Sequence, residues 1–241
     1  MAQLDVLIPF YADTPLRQTI WNRNHYLWGD VPEANLCVAD DPTRTSTGVF
    51  SPGRARNEAA LKGTADWILA YGSDETPPSP EVLKDTFRRA SEHGWAPMYD
   101  GTRVVKPNAS EAFARGVATE IEKLHLSTRV PSATGLVLVT RDLFRRAGGY
   151  DTRFTGWGFE DSALRRVLIA LAGIPPYPPS RQDCFSLSPR YVDLVALYRG
   201  SLPNRELYDR EYSGLTEADL PALFERRAAA AASEHLSELA G

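Results

Sequence analysis

Three short apolar runs, each stopped by proline or by acids, constrain this chain more than any other feature. Val6-Leu7-Ile8-Pro9-Phe10 comes first. Asn35-Leu36-Cys37-Val38-Ala39 stops at Asp40-Asp41, and Trp67-Ile68-Leu69-Ala70-Tyr71 stops at Gly72-Ser73-Asp74-Glu75. Runs this short read as buried strands. Helical patterns follow at residues 15–28, 54–63 and 81–93. Strands alternating with helices predict an α/β domain around a mostly parallel sheet. Ligands of such sheets bind beyond the carboxyl ends of the strands, where Asp40, Asp41 and Asp74 fall.

The remaining pattern predicts a loop over 42–53, a helix over 111–126, a strand over 135–139, a short helix over 141–147 and an amphipathic helix over 162–171. Pro175-Pro176-Tyr177-Pro178-Pro179 reads as a stiff extended connector. An Ala-rich helical tail over 216–239 either caps the domain or pairs with another subunit, capping being the more ordinary outcome. A chain of 241 residues can bury one sizeable core. Its net charge of -4 argues against a broad basic surface for nucleic acid. The separated Cys37 and Cys184 read as reduced thiols. With no basic flank and no long apolar run, neither a signal peptide nor a transmembrane segment is expected, and a cytoplasmic protein is. The arginines at 141, 145, 146, 165 and 166 read as a solvated helix face or, at lower weight, as an approach to a polyanionic acceptor.

The segment 149–161 carries the chemistry. Gly156-Trp157-Gly158-Phe159 precedes the adjacent acids Glu160 and Asp161, which open an apolar-periodic helix. Acids there can simply cap the helix. Next to an aromatic platform and flexible glycines, they also suit a base aimed at a hydroxyl group.

Taken in order, these motifs resemble the GT-A nucleotide-sugar glycosyltransferases. The opening strand Val6-Leu7-Ile8-Pro9, the Ala55-Arg56-Asn57 helix, the strand ending at Asp74, Gly148-Gly149-Tyr150-Asp151 and Gly156-Trp157-Gly158-Phe159-Glu160-Asp161 all carry the likeness. The last resembles the acceptor motif of family-two-like enzymes and of galactosyltransferases. The resemblance implies donor contacts at Pro9, Tyr11, Asp40 or Asp41, Arg54, Arg56, Asn57 and Asp74. It implies acceptor contacts at Trp157, Gly158 and Glu160, catalytic roles for Asp161 as base and for Glu160, and a metal on Asp74. Two departures stand out. Gly72 occupies the place of the first acid of the family's Asp-x-Asp motif, and Phe185-Ser186-Leu187-Ser188-Pro189 lacks the family's histidine. Asp183 and Glu75 are then candidate extra ligands, and the alternative is a metal-free site with Arg54 and Arg56 neutralising the diphosphate.

The expectation is therefore a single GT-A (Rossmann-like) domain over residues 1–210 with a helical extension over 211–241. It would act as an inverting transferase on a nucleotide diphosphate sugar, UDP-linked by resemblance, with Mn or Mg as the implied cofactor. The acceptor class is open among a glycan, a metabolite, a protein and a modified nucleic acid, and so is the oligomeric state. The rival readings are an inactive nucleotide- or sugar-binding module and a nucleotidyltransferase. The latter lacks a glycine-rich phosphate loop after the first strand.

Overall fold

The structure, a computed structural model, describes residues 3–117, 126–131, 135–179, 182–187 and 201–239. Eight strands are present among them: β1 (Leu4–Pro9), β2 (Ala34–Ala39), β3 (Trp67–Ala70), β4 (Trp95–Pro97), β5 (Gly101–Val105), β6 (Leu126–Pro131), β7 (Val137–Thr140) and β8 (Asp183–Leu187). The helices are α1 (Pro15–Trp28), α2 (Arg44–Thr47), α3 (Pro52–Ala60), α4 (Pro80–His93), α5 (Pro107–Ala114), α6 (Arg141–Arg146), α7 (Glu160–Ala172), α8 (Leu202–Glu211) and α9 (Leu220–Leu239). No helix among the described residues is long and apolar enough to cross a membrane.

The central sheet has the order β2-β1-β3-β7-β4. β1 runs parallel to β2 and β3, while β7 is antiparallel to both of its neighbours, β3 and β4. Side chains alternate across a strand, and here each alternate set enters a different core. Leu4, Val6, Ile8, Leu69 and Leu138 face Trp21 and Trp28 of α1 and Leu83 of α4. Leu7, Ile68, Ala70, Val137 and Val139 face Phe144, Ala163, Leu164 and Leu168 of α6 and α7. Burial on both faces explains why these strands read as continuous apolar runs. Tyr212, Leu220 and Leu223 are buried in the second of these cores, so the C-terminal extension docks on the domain.

Helix starts follow local chemistry. Thr14 accepts the Arg17 amide and precedes Pro15, and Ser79 accepts the Val82 amide and precedes Pro80. A hydroxyl N-cap with proline at the first helical position satisfies an orphan amide and presets φ.

Two expectations need correction. The helix expected over 111–126 is instead α5, which starts at Pro107 and ends at Ala114, with Gly116 at φ 72° beyond it. Leu126 belongs to β6, which pairs antiparallel with β5. Residues 118–125 lie outside the described residues. The loop expected over 42–53 contains the turn α2, stopped by left-handed Gly48, and α3 already begins at Pro52.

The second sheet, β6-β5-β8, was not foreseen as a unit. It joins the site because Leu187 of β8 donates to the Asp74 carbonyl at 2.7 Å and Thr76 donates to the Phe185 carbonyl at 3.0 Å.

Candidate functional site

The carboxyl ends of β1, β2 and β3 and the amino ends of α3 and α7 gather most of the expected residues. On the β2 side, Asp40 is partly exposed and ion-paired with Arg44 at 2.7 Å. Arg44 lies over the Tyr11 ring at 3.6 Å, and that ring stacks near Phe50. Pro9 is buried at the end of β1. Asp41 behaves differently from Asp40. Its carboxylate accepts the Thr43 amide and hydroxyl, both at 2.9 Å, and the Ser51 amide at 2.8 Å. Those bonds fold the loop back on itself, so of the two acids Asp40 is the one turned to solvent.

Asp74 follows β3. Its carboxylate stands 3.8 Å from Arg17 and accepts from the Ser73 hydroxyl at 3.3 Å. Asp183, expected as a further metal ligand, is corrected. Its carboxylate is buried between Arg103 and Arg129, at 2.8 Å from each. It also sits at the far end of β8 from Leu187, the residue that pairs with Asp74. Two cations hold it where strand geometry put it. Ser188, at the missing histidine, lies outside the described residues.

The opposite wall is built from α3 and α7. Arg56 donates to Asp161 at 2.9 Å and stands 3.7 Å from Glu160. Its guanidinium lies over the Tyr150 ring at 5.2 Å. Glu160 is only 5% exposed, and its Oε2 has no hydrogen-bond partner. Burial first, and then the Asp161 charge, push the Glu160 carboxyl well above its ordinary range, with Arg56 opposing. The two carboxylates thus share one buried cation.

Arg54 and Asn57 are braces. The Arg54 guanidinium donates to the Thr152 carbonyl and the Thr43 hydroxyl, which corrects its expected place on a diphosphate. The Asn57 amide donates to the Tyr150 carbonyl and accepts the Tyr150 amide, both at 2.9 Å. Gly149, at φ 62°, is where a Cβ would fall 2.6 Å from Asn57 Oδ1, so this approach requires glycine.

The Gly-Trp-Gly-Phe turn is held from a distance. Asn204 of α8 is buried; it donates to the Thr155 and Gly158 carbonyls at 2.9 and 3.0 Å and accepts the Thr155 amide. Phe159 has φ 72°, the one non-glycine positive φ among the described residues, and it forms the N-cap of α7. Such strain persists only where the surroundings over-determine it. Trp157 is 58% exposed, a ring held out beside Glu160 and Asp161. Sequence reasoning missed Asn204, which no local pattern marks, and the partnership of Tyr150 with Arg56 and Asn57.

A protein family described as the N-terminal domain of galactosyltransferase matches residues 115–174, which include β7, α6, the tryptophan turn and α7. Among curated proteins, none matches the sequence. Among solved structures, a mannosyltransferase from Pyrobaculum calidifontis, in complex with GDP-Man and Mn2+, is similar at 17% identity and a TM-score of 0.50. That match covers 79% of this chain and 58% of the mannosyltransferase. The beta-1,4-galactosyltransferase 7 of Drosophila, in complex with manganese, UDP-Gal and xylobiose, shares 18% identity at a TM-score of 0.48, over 75% of this chain and 66% of that one. The chain therefore spans less than two thirds of either protein. At these identities the likeness is one of fold, and the fold is that of the GT-A glycosyltransferases.

Proposed function

We propose that this chain, built on the GT-A fold, transfers a sugar from a nucleotide diphosphate donor, UDP-linked, to an acceptor hydroxyl with inversion. The observation that carries this reading is the Arg56–Asp161–Glu160 constellation at the start of α7, set beside an exposed tryptophan and facing the strand ends that bear Asp40 and Asp74.

The reaction needs a base, alignment at the anomeric carbon and neutralisation of the leaving diphosphate. Asp161 takes the proton from the acceptor hydroxyl. The acceptor oxygen then forms the new bond to the anomeric carbon as the bond to the diphosphate oxygen breaks, and inversion follows from attack opposite the leaving group. Arg56 orients Asp161 between turnovers through its 2.9 Å hydrogen bond. Trp157 offers a flat face to the acceptor, and Glu160 holds one of its hydroxyls. On the other wall Asp40 contacts the nucleotide, beside the Tyr11 ring.

Asp74 is the residue that fits a divalent cation. Among the described residues, no group of three or more histidine, cysteine or acidic side chains is placed to hold a metal. A hard cation nevertheless takes one or two carboxylates together with substrate phosphates and water, and the partly exposed Asp74 supplies one. Such a cation, when bound, neutralises charge on the diphosphate.

The test is Asp161→Asn, assayed for sugar transfer and for UDP binding by calorimetry. Transfer falls steeply while UDP affinity stays within a few-fold. Normal turnover in this variant rejects Asp161 as the base. UDP binding without transfer or donor hydrolysis by the wild-type protein would favour a binding module instead.

A further inference from the structure

Gly72 stands where a side chain would be expected to face the donor, and its backbone is not in the left-handed region that calls for glycine. The need for glycine is spatial. A Cβ built on Gly72 would lie 1.7 Å from Glu75 Oε2 and 2.7 Å from Glu75 Cδ. The Glu75 side chain therefore folds back across the turn Gly72-Ser73-Asp74 and fills the volume that residue 72 leaves empty. The two neighbouring acids diverge. Asp74 turns to Arg17 and the Ser73 hydroxyl. Glu75 turns inward, toward Tyr71, Tyr99 and Cys184 on one side and Arg56 with Asp161 on the other. Arg56, a cation that acts on it, is already paired with Asp161 at 2.9 Å.

Glu75 is anchored from behind. The neighbouring Thr76 amide bonds to β8, and Glu75 itself bridges to Ser186. Its carboxylate fills the side-chain space of Gly72 at the end of β3, within reach of the Arg56–Asp161 charges.

We infer that Glu75 is a donor-binding residue, its carboxylate accepting hydrogen bonds from vicinal hydroxyls of the nucleotide sugar, and that Gly72 is glycine because Glu75 occupies its side-chain space. This rests on the nucleotide-sugar reading of the site. Losing such a hydrogen bond weakens binding by roughly 10- to 100-fold.

The experiment measures binding of UDP, of 2′-deoxy-UDP and of a UDP-hexose panel by calorimetry, each with and without manganese, alongside thermal melting. The proteins are wild type, Glu75→Ala, Gly72→Ala and the double variant Gly72→Asp with Glu75→Ala. Glu75→Ala loses affinity while melting near wild type. Gly72→Ala, which forces the carboxylate aside, loses part of it. The double variant, with the acid moved to position 72, regains affinity. A loss seen with UDP but not with 2′-deoxy-UDP places the contact on the ribose; a loss seen only with UDP-hexoses places it on the transferred sugar. Either supports the inference. Unchanged affinity in Glu75→Ala overturns it while leaving the wider function intact, and so does a loss confined to manganese-dependent binding, which would assign Glu75 to the cation. A wild-type protein that binds none of these probes rejects both readings.

Discussion

The two walls of the site are built to different degrees. On the acceptor wall, each group is held before anything binds. Arg56 is buried between Glu160 and Asp161, Asn57 clamps Tyr150 in both directions, and Asn204 grips the tryptophan turn. On the donor wall, Asp40 and Asp74 follow strand ends, Asp40 paired with Arg44 and partly exposed and Asp74 standing 3.8 Å from Arg17. Preorganisation is most valuable where charge and alignment change during the reaction. A wall that only holds a nucleotide can be completed by the ligand. The difference predicts steep losses from the acceptor wall and shallow ones from the donor wall.

The largest effect is expected at Asp161. Losing a positioned base costs about 10²- to 10⁴-fold in rate, so Asp161→Asn should show that fall in kcat with little change in donor KM. Arg56 comes next, and its effect is on stability. Arg56→Met leaves Asp161 without its buried cation beside the buried Glu160, and breaking a buried pair by removing one partner costs about 3–5 kcal/mol. Urea unfolding at neutral pH measures it. A loss below about 1 kcal/mol would mean that solvent already screens the cluster, and the contrast between the walls would collapse.

How much of this was legible depended on the range of the interactions. The strands β1, β2 and β3 were readable because they are short apolar runs stopped by proline or by acids, with β1 and β3 buried on both faces of the sheet. The acidic pair that opens α7 was readable because Glu160 and Asp161 sit in one short segment with Trp157. β5, β6 and β8 were not, because β5 carries Arg103, β6 carries Arg129 and β8 carries Asp183, charges that pair only across the folded sheet. The same limit hid the duties of Arg54, Asn57 and Asn204, whose partners lie 98, 93 and 49 residues away in sequence. Asp41 looked equivalent to Asp40 until the Thr43 and Ser51 amides were seen to consume it.

A smaller effect is expected at Asn204. Asn204→Ala removes the buried amide that holds the Thr155 and Gly158 carbonyls, at about 0.5–1.5 kcal/mol. The turn then loosens, so acceptor KM should rise more than donor KM; equal rises would mean that Asn204 supports the whole site and not the turn.

Glu160 gives a pH test of the same wall. Burial raises its folded carboxyl above the unfolded value of 4.5. A raised folded value means that the folded state binds more protons through that interval, so the stabilisation is complete below pH 4.5 and is lost as pH rises through the raised value. Glu160→Gln removes the titration. Its urea midpoint should gain on wild type as pH rises from 5 to 9, by about 1–2 kcal/mol at the upper end. A constant gap across that range would show that Glu160 is solvated.

The smallest effect belongs to Asp40. Its pair with Arg44 is exposed, and such pairs contribute about 0–1 kcal/mol, so Asp40→Ala should leave the melting temperature almost unchanged. Nucleotide binding should weaken by less than about 10-fold, because a solvent-facing carboxylate contact competes with water. Removing Asp40 also frees Arg44, which already lies over the Tyr11 ring, and a freed guanidinium can partly compensate by moving toward the diphosphate. Raising salt separates these contributions: screening weakens the arginine's attraction for phosphate, so the variant should lose more affinity than wild type between low and high ionic strength. A steep loss at low salt would show instead that Asp40 is as firmly built into the site as Asp161, and the two walls would no longer differ in kind.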